Sequence, residues 1–164
     1  MKGTKRTAPL LAPPVADLAV CGLGAFAGIG VVAALSLVYQ LPMIVASFGA
    51  SAVLIYGLPE APLAQPRNVI GGHLISAATG VAVYALLGLS WWSAALSASL
   101  AVVLMLVTRT AHPPGGATAL AAVLGRAGPV YILTPVLLGA IILVGIGLVT
   151  NNLSPRRRYP QYWL

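Results

Sequence analysis

Between Leu18 and Pro155 the chain carries only four charged side chains, Glu60, Arg67, Arg109 and Arg126. A soluble domain has about a quarter of its residues charged. Apolar runs of this kind fold instead as helices in a bilayer, where every backbone N–H and C=O must be paired within the protein. A soluble enzyme is disfavoured on this ground, and no enzymatic activity is expected. Lys and Arg number 9 against 2 Asp and Glu, leaving +7 over 164 residues. In a soluble protein that balance points to nucleic acid. Here Lys2, Lys5 and Arg6 precede the first apolar run and Arg156, Arg157 and Arg158 follow the last, which is how cytoplasmic flanks of membrane spans look. The expected partner is the lipid bilayer, with no nucleic acid. The single Cys21 cannot form an intrachain disulfide.

Six apolar segments follow one another. Asp17 to Tyr39 is long enough for a span and longer than the core of a secretory signal. Pro42 to Gly57 is short, 16 residues or about 24 Å as a helix. Asn68 to Gly88 makes a third segment, and Trp91 and Trp92 open a fourth that ends near Thr108, the indoles suiting a headgroup boundary. Ala111 to Gly125 is again short, and Pro129 to Asn151 is full length. If all six cross with the N-terminus inside, Arg67, Arg109 and both ends lie in the cytoplasm and only Arg126 lies outside. If the short segments re-enter, all three arginines face out, against the positive-inside bias. Six crossings are therefore expected, in a bacterial inner membrane. Residues 1–16 form an N-terminal tail, 17–151 the transmembrane domain and 152–164 a basic C-terminal tail.

Shifting the sequence on itself by 67 positions aligns Gly49, Ala50 and Ala52 with Gly116, Ala117 and Ala119, and pairs Pro62 with Pro129, Gly72 with Gly139 and Gly80 with Gly147. Eight identities fall in the 33 positions from Gly49 to Val81, where roughly three or four are expected by accident in so Ala-, Gly- and Leu-rich a chain. The expected fold class is all-α, a polytopic transmembrane bundle of two inverted three-helix repeats, 17–88 and 91–151, each with a short broken helix. Such repeats mark the substrate path of many transporters.

The most polar stretch within the apolar chain is Thr108 to Thr118. Pro113 and Pro114 lack N–H groups and restrict the residues before them, so a helix is expected to start near Gly115 to Ala117. Free N–H groups at such a start suit an anion. Ser47-Phe48-Gly49-Ala50-Ser51 presents a second start from the other half. Gly49, Gly115 and Gly116 would let a ligand approach the backbone, and Ser47, Ser51 and Thr118 would offer hydroxyls. Arg109 and His112 flank one start, and Arg67 and Asn68 occupy a loop of the other half. For Arg109, drawing in an anion and snorkelling to headgroups fit equally well. For His112, a proton-sensitive donor and a residue tied to backbone are equal alternatives. His73, beside Gly71 and Gly72, reads first as packing and second as pore lining. Two carboxylates and two isolated histidines supply neither an acid–base pair nor a metal centre, and no cofactor is expected. Gly24 and Gly28 have the spacing of close helix contacts, either within one chain or between copies in a homo-oligomer.

His112-Pro113-Pro114 at the start of a short apolar segment, Phe48-Gly49-Ala50-Ser51, and Ala64-Gln65-Pro66-Arg67-Asn68-Val69-Ile70-Gly71-Gly72-His73 together resemble the HPP family of small integral membrane proteins. The resemblance spans Ala16 to Asn151. The family is described as having four transmembrane helices, and plant and cyanobacterial members are associated with nitrite transport. What the resemblance implies is a channel or transporter for a small monovalent anion, nitrite first. A neutral-solute channel and a non-transporting scaffold are the competing readings.

Overall fold

The computed structural model describes residues 13–38, 40 and 45–163. Lys2, Lys5 and Arg6, and the expected segment start at Pro42, lie outside them. Among the described residues there are helices and turns and no strand. Helix α1 is Val15–Leu37. Helix α2, Ser47–Ala52, continues as a π-helical turn, Val53–Gly57. A 3₁₀ turn, Pro62–Ala64, leads to α3, Pro66–Leu87. Then come α4, Trp91–Val107, and α5, Pro114–Leu124, and finally a π-helical segment, Ile132–Leu137, that runs into α6, Leu138–Asn151. Among the described residues three helices are long and apolar enough to cross a membrane: Val15–Leu37, Pro66–Leu87 and Ile132–Asn151. The other three, Ser47–Gly57, Trp91–Val107 and Pro114–Leu124, are shorter and apolar.

Local chemistry sets the boundaries. Pro66 and Pro114 occupy first-turn positions of α3 and α5, where a missing N–H costs nothing. Ser90 caps α4 in a reciprocal box with Ser93, each side chain bonding the other's backbone N–H at 3.1 and 3.0 Å. Helices α4 and α5 end alike. Arg109 (φ +56°) and Arg126 (φ +52°) take the left-handed position usually given to glycine. The next N–H then reaches five residues back, Thr110 to Met105 O at 2.9 Å and Ala127 to Ala122 O at 2.8 Å. A cation there faces the negative end of the helix dipole, which offsets part of the backbone strain. In the last segment Thr134 is extended just before Pro135, so the helix is broken there.

Successive helices alternate in direction. Ser154 Oγ donates to Asp17 Oδ1 (2.8 Å), Asn151 Nδ2 to Ile55 O (3.0 Å), and Arg67 Nη2 to Thr108 O (3.3 Å). The start of α1, the end of the α2 turn, the start of α3 and the ends of α4 and α6 therefore share one face of the bundle. Arg126, past the far end of α5, lies at the other.

Packing relies on small residues, as it must where surrounding lipid removes the hydrophobic drive between helices. A Cβ on Gly80 of α3 would lie 2.7 Å from Ala122 Cβ and 3.0 Å from Ala119 Cα of α5, so these backbones touch. Gly24 and Gly28 are buried against the Tyr56 ring, and Thr150 also crowds Gly24. That face of α1 is filled by its own chain, so of the two readings of Gly24 and Gly28 the structure shows close packing within the monomer. The outward stripe of α1 is instead Gly22, Phe26 and Gly30, with Phe26 81% exposed.

The C-terminal residues pack back on the bundle. Tyr159 is buried and its hydroxyl donates to Ala64 O (2.9 Å), Gln161 N donates to Gln65 Oε1 (2.8 Å), and Arg157 donates to Asp17 O, Tyr56 O and Asn151 Oδ1. Burial holds the Tyr159 phenol above its usual pKa, so it remains a donor.

Candidate functional site

Five polar side chains from three helices and one turn meet in the interior: Ser47 and Ser51 of α2, His73 of α3, Thr118 of α5, and His112, two residues before α5. None is more than 3% exposed. His73 lies seven residues into α3, about 10 Å along its axis from the face that carries Arg67. Residues of this kind inside a membrane bundle are expensive to place and mark functional sites by default.

Their hydrogen bonds form one chain. Ser47 Oγ is 2.8 Å from Thr118 Oγ1, Thr118 Oγ1 is 2.8 Å from His73 Nδ1, and His73 Nε2 is 2.8 Å from Ser51 Oγ. Ser51 Oγ is 2.9 Å from His112 Nε2, and His112 Nδ1 is 2.8 Å from Leu63 O. The last atom is a carbonyl and only accepts, so His112 Nδ1 carries the hydrogen. With neutral rings, Nε2 of His112 then accepts from Ser51, His73 Nε2 donates to Ser51, His73 Nδ1 accepts from Thr118, and Ser47 donates to Thr118. One direction of donation satisfies every ring nitrogen. The two imidazoles lie edge to face with centroids 4.9 Å apart, and Phe48 covers His73 at 5.3 Å.

Recesses approach this chain from two sides. One, of about 320 Å³, is lined by Val102, Met105, Leu106, Ala111, His112 and Pro113. Two more, of about 220 and 340 Å³, share Val45 and Ala46, immediately before Ser47. The hydrogen-bonded chain itself is closed between them.

The other expected site residues fall elsewhere. The N–H groups of Gly115 and Gly116 bond His112 O and Pro113 O, and those of Phe48 and Gly49 bond Val45 O and Ala46 O. The helix starts therefore do not offer these amides to a ligand. They are tied up in turns, and what the two starts bring together is their hydroxyls. Gly49 is exposed, and a Cβ on Gly49 or Gly116 would meet nothing within 4 Å. Gly115 is buried, where a Cβ would lie 2.6 Å from Ser76 Oγ and 2.9 Å from Met105 Sδ, so its role is close packing of α5 on α3 and α4. Asn68 donates to Ala111 O at 2.9 Å and Arg67 to Thr108 O, so both fasten the loop that precedes His112. Arg109 is exposed at the end of α4.

Three buried residues had no signal as isolated letters. Ser76 donates to Met105 Sδ (3.6 Å), and Gln65 Nε2 donates to Pro59 O and Ala61 O, both at 2.9 Å. Asn151 joins the α2 turn to the C-terminal residues. Gln65 and Asn151 each stand beside a helix end among other polar residues, Arg67 and Asn68 in one case and Thr150 and Asn152 in the other, so nothing in the sequence singled them out as buried.

A helical bundle with three membrane-length helices and a buried network of hydroxyls and imidazoles defines an integral membrane protein of the polytopic α-helical class. The model of the HPP transmembrane region matches residues 11–160, and the chain belongs to that family. Two transmembrane proteins of Dictyostelium discoideum are 42% and 40% identical, each over 92% of this chain. The chain spans 58% and 53% of their lengths. No solved structure matches.

Proposed function

We propose that this chain moves a small monovalent anion across the membrane, with nitrite the first substrate to test, and that the Ser47–Thr118–His73–Ser51–His112 network is the constriction it passes. The observation that carries this reading is the composition of the network: hydroxyl and imidazole hydrogens, no carboxylate, and burial within the bundle. Such groups replace the hydration shell of a small anion and offer a cation nothing negative. Recesses on either side of a closed polar plug fit alternating access, with passage requiring α2 and α5 to part. The alternation of helix direction and the order long, short, long in the first half support inverted halves. Both ends are cytoplasmic in this account, because Arg67, Arg109 and Arg156 to Arg158 share the face from which Arg126 is excluded. Arg67 and Arg109 then raise the anion concentration at the inner mouth. The membrane is a plasma membrane, the inner one in a bacterium.

The test is uptake by proteoliposomes holding the purified chain. Nitrite, nitrate, formate and chloride are compared with glycerol and urea against protein-free vesicles. Anion uptake above background with no gain for the neutral solutes is the expected result. Uptake of glycerol or urea alone would make the path a neutral-solute channel, and none for any solute would leave a scaffold.

A further inference from the structure

Two weaker contacts give the buried network a second complete hydrogen-bond pattern. Ser51 Oγ lies 3.2 Å from Ser47 O, and Thr118 Oγ1 lies 3.4 Å from Pro114 O, each one helical turn back. In the neutral arrangement neither carbonyl receives the hydroxyl hydrogen. Add one proton to His112 and both its nitrogens donate, Nδ1 to Leu63 O and Nε2 to Ser51 Oγ. Ser51 then accepts from both imidazoles and turns its own hydrogen to Ser47 O. Add the proton to His73 instead and Nδ1 donates to Thr118, whose hydrogen turns to Pro114 O. Every group remains paired in each case. The proton also has a route between the rings: as the Ser51 O–H bond breaks toward His112 Nε2, the His73 Nε2–H bond breaks and re-forms it. One O–H and one N–H are lost and one of each is made. A proton received at His73 Nδ1 from the Ser47–Thr118 side thus leaves an extra N–H on His112.

We infer that this network binds one proton together with each anion, so that the protein, on the reading proposed above, is an electroneutral one-to-one proton–anion symporter. Among the described residues, the groups around the rings leave the added charge without a resident counter-ion. Helix α2 presents only Ser47, Ser51 and Phe48, and its π turn presents Tyr56, whose hydroxyl is spent on Leu143 O. Helix α4 presents Met105, and the segment before α6 presents Tyr131, bonded to Thr118 O. Tyr159 is bonded to Ala64 O, and Arg67 is turned to Thr108 O. Of the two carboxylates, Asp17 is engaged by Ser154 and Glu60 is exposed in the loop after the α2 turn. An imidazolium in so apolar a site is stabilised by a bound monovalent anion, and the anion by the imidazolium. Reciprocity requires each to tighten the other by the same factor, typically about 5- to 150-fold.

The experiment uses the full chain in proteoliposomes with pyranine in the lumen and the membrane potential set by potassium and valinomycin. Under an inward nitrite gradient, the lumen is expected to acidify by one proton per nitrite above protein-free vesicles, at a rate that does not change with potential. The apparent KM for nitrite is expected to fall about tenfold for each unit by which the pH is lowered, while the site is neutral at rest. The double variant His73→Gln/His112→Gln keeps donors and acceptors but leaves no ring to titrate, and is expected to lose the pH dependence. Nitrite uptake that follows the potential without acidification overturns the coupling and leaves anion transport standing. Absence of uptake for any anion ends both. An independent reading comes from ¹⁵N NMR of the histidines in bicelles: one ring is expected to gain its second N–H at higher pH with nitrite than without. Two rings that stay neutral throughout overturn the proton site even if flux is present.

Discussion

Replacing Thr118 by Val removes one hydroxyl and little volume, so its cost reports the network and not the packing. Thr118 Oγ1 serves two groups at 2.8 Å, Ser47 Oγ and His73 Nδ1, both buried. Ser47 can turn its hydrogen elsewhere, but His73 Nδ1 cannot move, because Nε2 is held by Ser51 and the ring is covered by Phe48. An unsatisfied buried acceptor costs about 1–3 kcal/mol in soluble proteins. Interhelical hydrogen bonds in membranes average only about 0.6 kcal/mol, with a maximum near 1.7. The expected loss is therefore about 1–2 kcal/mol, set by His73 and with only a small part from Ser47. Reversible unfolding in mixed micelles by SDS measures it, and a double-mutant cycle with Ser47→Ala separates the parts. The cycle is expected to give a coupling below about 1 kcal/mol, since Ser47 is the more adaptable partner. A loss below about 0.3 kcal/mol for Thr118→Val would refute the reasoning, because the hydroxyl would then not be holding His73.

Other consequences are more local. Gly28→Ala places a methyl into the Tyr56 ring and is expected to destabilise by about 1–3 kcal/mol, whereas Gly22→Ala, with open space around it, is expected to stay within about 0.5 kcal/mol, both read by the same SDS unfolding. Tyr159→Phe deletes the bond to Ala64 O and is expected to cost about 0.5–1.5 kcal/mol and to raise hydrogen exchange in the Pro62–Ala64 turn, whose Leu63 carbonyl holds His112. Single cysteines in a Cys21→Ser background test the topology: probes at Glu60 and Arg158 are expected to be blocked from one side of the membrane and a probe at Arg126 from the other.

The bilayer fold was legible in segment length and in the near absence of charge between Leu18 and Pro155. Proline punctuation located two helix starts only to within a few residues: starts at Asn68 and near Gly115 to Ala117 were expected, whereas α3 and α5 begin at Pro66 and Pro114, because a proline fits the first helical position and is taken into the helix. The hydroxyls at Ser47, Ser51 and Thr118 and the ring of His112 were legible as candidates, since polar atoms in an apolar run need partners. Which partner each has was not, because the separations run to 71 residues in sequence for Ser47 and Thr118. His73 illustrates the limit: one histidine on an apolar helix carries no sign of its neighbours, yet it sits between Ser51 and Thr118. The amide-tip picture at Gly49 and Gly116 did not survive for a related reason. Spacing identifies a helix start but not whether its N–H groups are already bonded in the preceding turn. Nor did spacing tell that Gly24 and Gly28 face Tyr56 of the same chain, a contact made only when the α2 turn docks on α1.

The central claim, that the hydroxyl–imidazole network is where the anion passes, is tested most directly by nitrite uptake compared between Ser51→Ala and Arg109→Ala proteoliposomes of equal protein content. Ser51 bridges the two imidazoles, and losing a hydrogen bond to a charged group costs about 1.5–3 kcal/mol. Ser51→Ala is therefore expected to lower uptake at least about tenfold, while Arg109→Ala, at an exposed helix end, stays within about threefold. Native-like uptake by Ser51→Ala, with the loss falling on Arg109→Ala instead, would move the anion path out of the network and contradict the account.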